Sequence, residues 1–304
     1  MTGVHPCQLL DLRPWWPKAI SVLSVSSVAL VRAPKVSVLS AALASVALVL
    51  VFAISAAAQR AELARARSAH NQRQFDAAIE AALVAQKAPP TMDAATVVLA
   101  RSYLERYRER ANPDDLSAAR VALGTVRVSV LDTRDHLDFL MALGEALFFE
   151  DDYGAAAHLF ESGLDAASAQ GPTTGEAMLD WWGSAMERHA DALDRDRRAV
   201  VFTRMRERMS RELARNPGSA AAAYWIVVAT RGAGEPDAAW EAAIAGWVRA
   251  RLAGSRSAAL RADLDRLVLE GIIPDRVRAV ALEQRGQAES DLRTEWAVVK
   301  ERWK

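Results

Sequence analysis

From residue 60 onward, apolar side chains return every three or four positions, and Pro- or Gly-containing clusters cut that pattern into pieces of about 12 to 20 residues. The clusters are KAPP (87–90), ANPDD (111–115), QGPTTG (170–175), NPG (216–218), GAGEP (232–236) and IIPD (272–275). Alternation of β-branched and polar residues is absent, which excludes a sheet. Helices this short bury little alone, and turns this short force neighbours to run antiparallel, so the pattern predicts an all-α chain of helical pairs.

The clearest pair is LDFLMALGEALFFEDDYGAAAHLFESGL (137–164). Leu140, Leu143, Gly144 and Leu147 form one apolar face, and Gly144 lets a neighbouring backbone approach closely. Glu150-Asp151-Asp152 makes the turn. Ala156 and Phe160, four residues apart, form the facing stripe of the second helix. These positions resemble the tetratricopeptide repeat, a helix–turn–helix unit of about 34 residues. Leu143-Gly144, Tyr153, Ala156 and Phe160 match that signature in type and spacing, while Leu140 replaces the usual Trp and Leu147 the usual aromatic.

Other segments repeat the unit less closely. QRQFDAAIEAALVAQKAPP carries Phe75, Ala78-Ile79, Ala82 and Pro90, with ELARARSAHN as its partner helix. VVLARSYLERY supplies Leu99-Ala100 and Tyr103, and DLSAARVALGTV supplies Leu116, Ala119 and Leu123. A loop around Pro113 is expected to lengthen that unit by about seven residues relative to the repeat. MLDWWGSAMERH gives Leu179, Trp182-Gly183 and Met186, followed by an Arg-rich helix. AYWIVVATRGAGEPDAAWEAAIAGW gives a turn at Gly234-Glu235-Pro236, then Ala239, Ala243 and Gly246. The units fall at about 59–92, 93–136, 137–170, 173–217 and 219–254. Trp181, Trp182, Trp225, Trp240 and Trp247 are expected to fill gaps between helices.

Residues 255–304 depart from the repeat. Ser257–Gly271 reads as one amphipathic helix, and Pro274 opens a longer one to about Trp303, with Leu292, Trp296, Val299 and Trp303 along one face. A stack of repeats needs a terminal pair with a polar outer side, and this pair fits that role.

The N-terminus is of a different kind. Val36 to Ala58 carries no charge and as a helix would span roughly 34 Å, enough for a hydrocarbon core of about 30 Å. It also has the three zones of a secretory signal: Arg32 and Lys35, an apolar centre at Val46–Ile54, and Ala56-Ala57-Ala58 before Gln59. Both a signal cut after Ala58 and a retained transmembrane helix remain open, behind a poorly ordered leader at 1–35. Basic residues precede the segment, so either reading sends everything after Gln59 across the membrane, into the periplasm or beyond.

Composition closes several routes. Lys+Arg and Asp+Glu both number 38, so no cationic excess favours nucleic acid. The single cysteine, Cys7, precedes the apolar segment, and neither a disulfide nor a thiolate metal site is available within the chain. HExxH, paired CxxC, P-loop, GxGxxG and GxSxG patterns are missing, and His70, His136, His158 and His189 lack metal-ligand spacing. No cofactor, metal or catalytic residue is therefore expected.

The resemblance implies a right-handed helical-repeat solenoid whose concave face binds a protein or peptide, with the first helix of each pair lining the groove. Carried onto the aligned units, the candidate groove residues are Val97, Arg101 and Leu104; Met141, Glu145, Phe148 and Phe149; Asp180, Ser184 and Glu187; and Tyr224 and Val228. Phe148 and Phe149 are adjacent and cannot point the same way on a helix, so one is expected to face the groove or a neighbour. The alternative from another class is a cell-envelope hydrolase, which requires two carboxylates converging on a pocket with one shifted in pKa.

Overall fold

The computed structural model describes residues 57–304, all within one compact unit. The leader and nearly all of the apolar segment 36–58 lie outside the described residues. Among the described residues there is no strand, and no helix is long and apolar enough to cross a membrane.

Helices follow one another as α1 (57–71), α2 (Phe75–Ala85), α3 (Met92–Arg110), α4 (Pro113–Thr125), α5 (Thr133–Phe149), α6 (Tyr153–Gln170), α7 (Pro172–Asp191), α8 (Arg195–Arg215), α9 (Ala220–Gly232) and α10 (Pro236–Arg249). The chain ends in α11 (Ser257–Leu267), α12 (Ile273–Arg278) and α13 (Arg285–Arg302). The turn clusters act through capping. Asn112, Asp132, Asp194 and Ser219 each accept a backbone N–H two or three residues on, and Pro113, Pro172 and Pro236 occupy first turns, where a missing N–H costs nothing. Asp151 takes a left-handed φ of 62° to reverse the chain between α5 and α6.

Consecutive helices pack in adjacent pairs. Leu63, Ala66, Ile79, Ala82, Val98 and Leu99 join α1, α2 and α3, while Val97, Leu104, Ala119, Leu123, Phe139 and Ala142 join α3, α4 and α5. A third cluster runs from α5 to α13. The α5–α6 contact confirms the close approach expected at Gly144, where a Cβ would collide with the buried Phe160 ring. Gly144→Val is expected to destabilise by about 1–3 kcal/mol through overpacking, read as a lower urea midpoint. Alternate helices also touch: α3 meets α5, and α7 meets α9.

Two sequence expectations are corrected. The extra length of the second unit does not lie around Pro113, where only Ala111 and Asn112 separate α3 from α4; it lies between α4 and α5, in a segment containing a short 3-10 turn at Val128–Val130. Asn112 capping and the left-handed Ala111 make a tight corner at Pro113. The helix expected from Pro274 to Trp303 is two helices. α11 runs through a π-turn (Val268–Ile272) into α12, and the chain breaks before α13, where the Arg285 guanidinium donates to the carbonyls of Arg278 and Val280. That bend lets α13 seat Trp296 against Trp240 and Trp247.

Candidate functional site

Odd-numbered helices line two concavities, and α7 borders both. The first, of about 440 Å³, takes Arg67, His70 and Asn71 from α1, Val98 and Arg101 from α3, Arg134, Leu137, Asp138 and Met141 from α5, and Thr173, Thr174 and Ala177 from α7, with Gln170 at the end of α6. The second, of about 320 Å³, takes Asp180 and Ser184 from α7, Ala220, Ala221, Tyr224 and Trp225 from α9, and Ala259, Leu260 and Asp263 from α11, with Arg256 at the edge.

In the first concavity the charges are held by one another. Arg67 pairs with Asp135, and Arg101 donates to Asp138 at 2.5 Å. Burial and the Arg101 charge push the His70 imidazole down to about 3, so it is neutral, with Nδ1 3.1 Å from Ser102 Oγ. Below Arg101 lies Glu145, only 1% exposed, whose Oε1 has no hydrogen-bond partner among the described residues. Burial pushes its carboxyl up to about 7, with Arg101 opposing and Glu105 reinforcing the rise.

At the next turn of α5, an aromatic cluster closes the α3–α5–α7 junction. Phe148 meets Phe149, Tyr153 and Trp181 edge-on with centroids 5.1–5.9 Å apart, and Phe149 also meets Tyr107 at 5.1 Å. Both rings are half-buried and packed against one another and against neighbouring helices.

The candidate residues divide accordingly. Arg101 and Met141 border the first concavity, and Asp180, Ser184 and Tyr224 the second. Glu187 is half-buried one helical turn farther along α7. Val97, Leu104, Glu145 and Val228 are corrections: all four are buried between helices and line neither concavity. Missing from the sequence reading were Arg67, His70, Arg134, Asp138, Thr173 and Thr174. The signal for four of them was available: stepping back three or four residues at a time along α5 and α7 from Met141 and Asp180 reaches these positions.

In the second concavity, Asp180 Oδ1 accepts a hydrogen bond from the Trp225 indole N–H at 2.8 Å. Burial pushes the Asp180 carboxyl up, against that hydrogen bond, and pushes Glu187 up as well. Burial, with Glu187, Asp263 and Asp180 nearby, raises the Tyr224 phenol to about 12. The arrangement can accept hydrogen bonds and cationic groups. Among the described residues no group of His, Cys, Asp and Glu is arranged to hold a metal ion. No protein-family model, curated protein or solved structure matches the chain.

Proposed function

We propose that this chain is an exported, non-enzymatic scaffold, a tetratricopeptide-like right-handed solenoid that binds a protein or peptide segment along its odd-numbered helices in the cell envelope. The observation that carries this reading is the pair of concavities bordered by α7, both lined mainly by alternate helices. Contacts between successive units support the repeat: Arg101 reaches Asp138 and Trp225 reaches Asp180, and Arg231 of the last unit reaches Asp275 of the terminal helices. Residues 57 and 58 are already helical, so α1 extends without a break across the Ala58–Gln59 bond. N-terminal mass spectrometry of the exported protein distinguishes a signal cut there from a retained anchor.

The test uses peptides selected by display against the full chain. Ala177→Trp and Ser184→Trp fill the two concavities and are expected to weaken binders at least about tenfold, whereas Leu282→Trp, at a residue 72% exposed and outside both, leaves them unchanged. Binders indifferent to both filling variants would place the interaction elsewhere.

A carboxylate hydrolase is the second reading, because Asp180 and Asp263 line one concavity and burial raises Asp180. The Trp225 N–H bonded to Asp180 stabilises its ionised form, which works against service as a general acid. Hydrolysis of an envelope polymer by the full chain, abolished by Asp180→Asn, would favour this reading over the scaffold.

A further inference from the structure

The lining of the α1–α3–α5–α7 concavity has more hydrogen-bond donors than it uses. Arg67 and Arg101 each spend one terminal nitrogen on a carboxylate, Asp135 and Asp138 respectively. The other terminal nitrogen, Nη1 of Arg67 and Nη2 of Arg101, has no partner among the described residues. Unlike the sealed Nε atoms it stays reachable, on side chains that keep 25% and 22% exposure. Arg134, on α5, is exposed and forms no ion pair among the described residues. Of the acids only Asp138 lines the space, so its walls carry three guanidiniums against one carboxylate. Asp135 stands behind Arg67, and Glu145 lies deeper, where burial raises its carboxyl to about 7 and limits its share of the charge below that pH.

The fourth wall adds donors of another kind. Side chains cap the starts of α4, α5, α8 and α9, but α7, 20 residues long, starts after Gly171, which has no side chain to supply a cap. Thr173 and Thr174 in its first turn border the space, and their hydroxyls have no partner among the described residues. An uncapped helix start beside guanidiniums reinforces the preference for an anion. The floor is apolar: Val98, Leu137 and Met141 keep only 3–5% exposure. A bare oxyanion fills a small part of about 440 Å³, so a ligand matched to this space also brings an organic body for that floor.

We propose that the α1–α3–α5–α7 concavity is a binding site for a phosphate monoester with a small apolar body. Such a group carries a charge of about −1.5 to −2 near neutral pH on three terminal oxygens, whereas a carboxylate presents two oxygens in one plane. It can therefore meet donors that arrive from four helices at once. The free terminal nitrogens of Arg67 and Arg101 and the Arg134 guanidinium take the phosphate oxygens, Thr173 and Thr174 close the ring from α7, and the apolar body rests on Val98, Leu137 and Met141. A soluble ester and the headgroup of a lipid share this chemistry. The assignment goes beyond the scaffold reading and does not depend on it.

Titration calorimetry on the full chain compares n-butyl phosphate with n-butyl sulfonate, butyrate and n-butylammonium, which keep a short apolar body and change the head. The phosphate is expected to bind at least about tenfold more tightly than any of the others. Dihexanoyl phosphatidic acid, a monoester headgroup in water-soluble form, separates the sources: tighter binding than n-butyl phosphate assigns the site to a lipid headgroup, and weaker binding assigns it to a soluble ester. Arg134→Gln, at an exposed residue, should weaken n-butyl phosphate about tenfold, and Ala177→Trp, which fills the space, should abolish its binding. Arg195→Gln, at an exposed arginine outside the concavity, should leave it unchanged. Circular dichroism checks that the variants fold. Butyrate or the sulfonate binding as tightly as the ester overturns the phosphate assignment. Ester binding unaffected by Arg134→Gln and Ala177→Trp overturns the location. Absence of binding by both esters overturns the proposal and leaves the scaffold reading to its own display selection.

Discussion

Trp296→Ala is expected to release the last helix from the body of the protein and to lower stability by about 3–5 kcal/mol. Trp296 is the one buried side chain of α13, fully enclosed between Trp240 and Trp247 with ring centroids 5.8 and 5.5 Å away. Its indole N–H donates to Asp265 Oδ1 at 2.7 Å, and the same oxygen accepts from Lys300 Nζ at 2.7 Å. One side chain therefore joins α10, α11 and α13. Without it, the flanking Leu292 and Val299 contacts are half-exposed and hold little apolar area. Limited proteolysis checks the result: cleavage should appear in the connection at 279–284, ahead of any cut in α5–α9. Trp296→Phe keeps most of the apolar volume and loses the hydrogen bond, so a smaller loss of about 1–2 kcal/mol is expected. A Trp296→Ala protein as resistant as the parent would remove the terminal-cap role given to this helix.

The same residues show how far a sequence carries the argument. Trp182, Trp225, Trp240 and Trp247 are buried between helices as their surroundings implied, and Phe160 fits over Gly144. Such contacts are local to one hairpin or to adjacent hairpins, and their spacing is written in the 3.6-residue period. The groove positions were harder because a repeat template describes one unit, whereas exposure depends on how the next unit presses against it. Val97 and Leu104 lie one turn either side of Arg101, and Val228 one turn beyond Tyr224, yet neighbouring helices cover all three. Arginine–carboxylate pairs were not legible at all. Arg67 with Asp135 and Arg127 with Asp93 join residues 68 and 34 positions apart, and nothing in either local stretch names the partner.

Glu145→Gln is expected to stabilise the protein at pH 8 by on the order of 2–3 kcal/mol, the gain over the parent growing as pH rises from 5 to 7. In the folded chain burial raises this carboxyl from 4.5 to about 7. Across that interval the folded state holds a proton that the unfolded chain has released. Stability therefore falls as pH rises through the interval, and the loss persists above it, where both states are ionised. Asp76 and Asp93 act oppositely, because hydrogen bonds from Arg110 and Arg106 to the first and from Arg127 to the second lower their carboxyls, so they cost stability only in stronger acid. Urea denaturation at pH 5 and pH 8 separates the groups: neutral His70 favours the folded state at the higher pH in both proteins, so the readout is the gain of Glu145→Gln over the parent, which should be small at pH 5 and full at pH 8. Equal slopes in parent and variant would mean that Glu145 is ionised throughout, held by Arg101. The question reaches the first concavity, because ionised Glu145 competes with Asp138 for Arg101, the guanidinium that faces the space shared by α1, α3, α5 and α7. A proton on Glu145 leaves Arg101 to Asp138 alone and removes one negative charge from the floor. Any ligand group that meets Arg101 there should bind with a pH dependence centred near 7, and Glu145→Gln should abolish it.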